Sequence, residues 1–147
     1  MKLKRLLGVV CAGAVLVAAL SGCGMAGTQP IPKGMDEETL LTAGEEVVNL
    51  LLDGEYEAVV ERLREDIRFA EGKEIKPEHI KELVETHADL EEVGTFVKID
   101  DTATMGETNP ETLGIALFKC EYTEKEVAFG IAYDPEMNLT GISIAHS

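Results

Sequence analysis

The chain has 147 residues, of which 28 are acidic and 13 are basic, so its net charge is −15 at pH 7. Residues 1–22 hold three basic and no acidic side chains, which leaves ten basic ones and a net charge near −18 for residues 23–147. Contacts with phosphate need Lys and Arg, so this charge argues against nucleic acid as a partner. The length fits one domain with its own core.

The first 22 residues read as a secretory leader. A basic start is followed by an apolar run from Leu6 to Leu20 that is shorter than a spanning helix. Leu20-Ser21-Gly22-Cys23 resembles the lipobox of bacterial lipoproteins, in which the cysteine takes a diacylglyceryl group and becomes the mature N-terminus. The resemblance implies a signal peptide over 1–22, a lipid on Cys23 and a place on the outer face of the cell membrane.

The next segments predict a tether and then helices. Residues 23–35 are rich in Gly and Pro and predict a flexible tether, with the domain over 36–147. Asp36 fits an N-cap, and an apolar stripe at helical spacing follows until Asp53-Gly54. A second helix with apolar positions from Tyr56 to Ile67 comes next, and Pro77 fits the start of a third.

The second half predicts an antiparallel sheet. A short run over 95–99 is followed by a turn at Asp100-Asp101 and a second run near 102–105. Residues 113–122 are apolar on both faces, which predicts a central strand, and two further strands follow across short turns. Helices followed by such a meander predict an α+β fold, with the helices packed on a curved antiparallel sheet.

Three segments resemble small extracytoplasmic domains of the DUF3887 type. They are residues 47–60, with Asp-Gly-Glu-Tyr between two helices, residues 83–96, with Gly94 and Phe96, and residues 132–142, with an acidic turn between strands. The resemblance implies an NTF2-like (cystatin-like) cone. Such folds often form homodimers through the sheet, so a homodimer is among the expected assemblies.

The candidate site residues are few. NTF2-like cones can hold ligands, and His87 falls on the inner stripe of the third helix, so we interpret His87, Tyr56, Tyr122 and Tyr133 as candidates to line a pocket. The alternative for His87 is a helix-edge histidine bonded to backbone or water. Cys120 has no cysteine left to pair with and fits a small buried hydrophobic residue.

The chain carries none of the common catalytic or metal-binding motifs, such as His-Glu-x-x-His, Cys-x-x-Cys or Gly-x-Ser-x-Gly. We therefore expect no catalytic residue, metal or cofactor. The sequence favours a lipoprotein domain that binds a small apolar ligand or an envelope protein. The alternative is an enzyme of the isomerase or dehydratase kind that uses His87 in the pocket.

Overall fold

The computed structural model describes residues 29–69, 72–88, 91–108 and 111–146. Within them the helices are α1 (Glu37–Leu52), α2 (Tyr56–Arg62), α3 (Glu65–Arg68) and α4 (Pro77–His87), and the strands are β1 (Phe96–Glu107), β2 (Leu113–Tyr122), β3 (Glu126–Tyr133) and β4 (Leu139–His146). The predicted leader, the lipobox and Cys23 lie outside the described residues. No helix in the described ranges is both long enough and apolar enough to cross a bilayer.

Helix α1 begins and ends where the sequence predicts. The Asp36 carboxylate accepts a hydrogen bond from the Thr39 backbone N–H at 2.9 Å and caps the first turn. Gly44 allows α1 to lie close to β2, because a Cβ at this position would stand 2.8 Å from the Cβ of Ala116. The side of α1 that faces the core is fully buried: Leu40, Gly44, Val47, Val48 and Leu51.

The predicted second helix is broken. The apolar positions from Tyr56 to Ile67 fall on two helices, α2 and α3, because Leu63 has an extended backbone with ψ of 138°. Leu63 forms a parallel bridge with Leu139 of β4, and the Arg64 backbone N–H donates to the Leu139 carbonyl at 2.8 Å. Pairing with a strand end therefore replaces helical hydrogen bonds at this point, which periodicity alone does not reveal.

The four described strands form one antiparallel sheet in the order β1-β2-β3-β4. Strand β2 is central, as predicted, and both of its faces are buried. One face packs under the helices and includes Phe118, Cys120, Tyr122, Phe129 and Ile131. The other face carries Ile115 and Leu117, with Ala103, Met105, Leu113 and Ala132 around them. This arrangement confirms the predicted α+β fold class, helices packed on an antiparallel meander.

The turn predicted at Asp100-Asp101 is wrong. Strand β1 is continuous across both residues, and its pairing with β2 instead shifts register between Phe96 and Lys98 and between Ile99 and Asp101. An edge strand can absorb an extra residue as a bulge, which leaves the two aspartates exposed without reversing the chain.

The described part of the segment predicted as a tether lies on the domain. Gln29 forms an antiparallel bridge with Gly106 of β1, and Ile31 and Met35 pack against the core. The Met35 backbone N–H also donates to the Pro32 carbonyl at 3.1 Å, which closes a turn just before α1. Residues 29–35 therefore follow the surface of the domain and share in its packing.

Candidate functional site

A pocket of about 300 Å³ lies between the end of α1, helix α4 and the sheet. Its walls come from α1, the start of α2, the end of α4, the start of β1, and β2 and β3. The lining residues are Leu51, Leu52, Tyr56, Val84, Ala88, Gly94, Thr95, Phe96, Tyr122 and Phe129. The helices and the sheet therefore both contribute to one concavity, which is partly open to solvent.

Local sequence features place these side chains. The turn at Asp53-Gly54 ends α1 and sets Tyr56 as the first residue of α2. Val84 and Ala88 are four residues apart, so they lie on the same side of α4 and face the same volume. Phe96 and Tyr122 meet edge to face, with ring centroids 5.7 Å apart, and build the aromatic wall.

The rim of the pocket is held by backbone geometry at Gly94. Its φ is 84°, a left-handed conformation that favours glycine, and a Cβ there would collide with the Thr123 hydroxyl. The Thr95 N–H donates to that hydroxyl at 3.0 Å, and the Thr123 N–H donates to the Thr95 carbonyl at 2.9 Å. The start of β1 is thereby joined to the β2–β3 turn.

The described lining residues include no Asp, Glu, Lys, Arg or His. The polar side-chain groups among them are the hydroxyls of Tyr56, Thr95 and Tyr122. A charged ligand group placed among these residues would lose hydration without gaining a countercharge. The pocket is thus chemically suited to an uncharged ligand with one or two polar atoms.

His87 is not among the lining residues. It is the last residue of α4 and is half-buried, with its ring centroid 6.1 Å from that of His146 on β4. Burial lowers the pKa of His87, and the neighbouring His146 lowers it further, so the imidazole is neutral at pH 7. Glu92 lies 3.5 Å from His146 Nε2.

Tyr133 and Cys120 lie in the packed interior. Tyr133 is buried on β3 outside the pocket lining, and burial raises the pKa of its hydroxyl. Burial also raises the pKa of the Cys120 thiol to about 12, so the thiolate is not available at neutral pH. Across the described ranges, no three His, Cys, Asp or Glu side chains are grouped as a metal ion would need.

Two comparisons with known proteins bear on this arrangement. The sequence profile of DUF3887, described as a protein of unknown function, matches residues 44–142. The chain belongs to the DUF3887 family. The predicted resemblance is thereby confirmed for the domain, and the match includes every pocket-lining residue.

The fold also resembles a solved structure. An NMR structure of a protein from Ruminococcus gnavus ATCC 29149 superimposes with a TM-score of 0.61 at 22% identity, over 78% of this chain and 96% of that one. At this identity the likeness shows the fold that the DUF3887 chain shares with it. None of the curated proteins matches the chain.

The DUF3887 domain has a second candidate site, which is polar and which the sequence did not predict. Arg64 follows the break between α2 and α3, and its guanidinium binds three carboxylates. Arg64 Nη2 lies 3.0 Å from Glu111 Oε1 and 3.0 Å from Asp66 Oδ2, and Arg64 Nη1 lies 3.1 Å from Asp134 Oδ2. We call these four residues the Arg64 cluster. It joins the helices to the β3–β4 turn.

Asp134 is the buried member of the Arg64 cluster. Its carboxylate accepts hydrogen bonds from the backbone N–H groups of Glu136 and Asn138 and from the Asn138 side chain. Burial by itself would raise the pKa of Asp134, but the bonds from Asn138 and Arg64 outweigh it and hold the pKa below its usual value. The acidic turn is readable in the sequence, whereas its partner lies 70 residues away.

Proposed function

We propose that this DUF3887 chain is an extracytoplasmic lipoprotein, held in the cell membrane by a lipid on Cys23, whose domain binds a small uncharged ligand without catalysis. The observation that carries the binding proposal is the partly open pocket of about 300 Å³ between α1, α4 and the sheet, which is lined mostly by apolar residue types. Pockets that hold small molecules usually measure about 300–1,000 Å³, so the ligand is at the small end of this range.

The chemistry of the pocket supports binding rather than turnover. A general acid or base must reach the reacting atom and titrate near the working pH. The titratable side chains among the described lining residues are Tyr56 and Tyr122, and His87 packs against His146 instead. A few polar groups among mostly apolar residue types are typical of sites that bind and orient a small ligand.

Ligand binding is tested with two probes of similar shape and different charge. We expect 4-ethylphenol to saturate the mature chain in an NMR titration, with shifted amide signals at residues that line the pocket, such as Tyr56, Ala88 and Phe96. The anion 3-(4-hydroxyphenyl)propionate should bind at least about tenfold more weakly, because its carboxylate would be desolvated without a partner. Shifts that scatter over the surface, or no saturation by either probe, would contradict the binding proposal.

The lipid anchor is supported by the order of basic residues, apolar run and lipobox in residues 1–23. A diacylglyceryl group provides two acyl chains, which is enough for stable attachment where one chain is marginal. We expect Cys23→Ser to abolish the incorporation of radiolabelled palmitate and to release the protein from the membrane fraction. Palmitate label retained by the Cys23→Ser chain would refute the assignment.

A further inference from the structure

Residues 29 and 30 lie at one end of the sheet. The Gly106 N–H donates to the Gln29 carbonyl at 2.8 Å, next to the end of β1. The Pro30 carbonyl lies so close to Gly106 that a Cβ there would collide with it. Gln29 and Pro30 are therefore held against the Gly106 end of β1.

The link from this end to the proposed anchor is short. Gln29 is six residues from Cys23, and six residues of fully extended chain reach at most about 22 Å. A domain of this size has a radius of gyration of about 13 Å and is correspondingly more than about 30 Å across. The link is thus shorter than the domain that it holds.

The pocket lies at the opposite end of β1. Gly94, Thr95 and Phe96 line it, and Phe96 is the first residue of β1. Phe96 and Gly106 pair with Tyr122 and Gly114 of β2, which are eight residues apart, because β1 has two bulges between them. At about 3.3 Å per residue the two ends of β1 are roughly 26 Å apart.

We infer that the lipid on Cys23 holds the Gly106 end of β1 towards the membrane, so that the pocket opens away from it and takes its ligand from the aqueous phase rather than from the bilayer. This inference rests on the proposed function, since it needs both the anchor and the pocket. It adds to the proposed function the phase from which the ligand enters the pocket, water rather than the bilayer.

The test measures the distance of each end of β1 from the membrane. The lipidated chain is placed in vesicles that contain phosphatidylglycerol and an acceptor dye on the lipid headgroup. A donor dye is attached through Thr108→Cys in one sample and Val97→Cys in another, since both positions are exposed and Cys120 is buried. We expect energy transfer from position 108 to be at least roughly twofold more efficient, because position 108 follows one end of β1 and position 97 lies at the other end, roughly 26 Å away.

A control with a longer link tests whether the link sets the orientation. Gly-Ser residues inserted between residues 24 and 25 lengthen the link and should reduce the difference between the two donors. Equal transfer from the two donors with the native link, or more transfer from position 97, would overturn the orientation. If the chain does not associate with vesicles at all, the anchor of the proposed function fails, and the inference fails with it.

Access to the pocket is measured separately. The affinity of the vesicle-bound chain for 4-ethylphenol, corrected for probe that enters the lipid, should equal that of the Cys23→Ser chain in solution within about twofold. An affinity weakened by more than about tenfold on vesicles would overturn the aqueous route while leaving the binding site itself intact.

Discussion

The Arg64 cluster and the pocket lie in the same domain and differ in whether their groups are satisfied by the protein itself. In the cluster, a mostly buried guanidinium meets three carboxylates, and the Asp134 carboxylate receives further hydrogen bonds from its own turn. In the pocket, apolar and aromatic side chains surround a volume that they do not fill. A region whose polar groups satisfy one another needs nothing from outside and serves to hold the fold. A region with an unfilled concavity lacks contacts that a ligand can supply.

Removing the cation from the Arg64 cluster should have the largest effect. We expect Arg64→Ala to lower the free energy of unfolding by about 3 kcal/mol, because Asp134 would keep a buried charge without its cation. Urea unfolding of the purified domain measures this difference.

Arg62 provides a matched control two residues earlier. It pairs with Glu46 at 2.8 Å, but both side chains are about half exposed. We expect Arg62→Ala to cost less than about 1 kcal/mol. If the two substitutions cost the same, the Arg64 cluster does not hold the helices to the β3–β4 turn as described.

Acidification should have a smaller effect, through His87, which lies next to the pocket residue Ala88 but belongs to neither region. Because its pKa is lowered in the folded state, the unfolded chain takes up the proton first as the pH falls. The contribution of His87 is complete above the unfolded value of about 6.5 and is lost as the pH falls below it.

The His87→Gln variant isolates this contribution. Urea unfolding at pH 7.5 and pH 5.5 should show a smaller loss of stability in the variant than in the native chain. His146, which faces His87, and Glu92, which pairs with His146, stay in both chains. An identical loss in the two chains would mean that His87 is not desolvated against β4.

Local patterns predicted much of the fold. The cap at Asp36, the turn at Asp53-Gly54 and the central position of β2 follow from chemistry within a few residues. The break at Leu63 and the continuous β1 could not be predicted in this way, because each depends on pairing with another strand: Leu63 with Leu139 of β4, and β1 with β2.

The candidate site was predicted less completely, for a geometric reason. Tyr56 and Tyr122 line the pocket, whereas His87 and Tyr133 do not. Helix phase explains the difference at α4: Ala88 follows Val84 by four residues and shares its direction, while His87 is turned by about 100° from Ala88. An apolar stripe in the sequence is too broad to separate two such neighbours.

The most direct test of the account fills the pocket. Ala88→Leu replaces a methyl group on the wall by an isobutyl group, and Ala103→Leu makes the same change on the other face of the sheet. Titration with 4-ethylphenol should show an affinity at least about tenfold weaker for Ala88→Leu and unchanged within about twofold for Ala103→Leu. Equal affinities in Ala88→Leu and the native chain, with both folded, would contradict the claim that this pocket is the binding site.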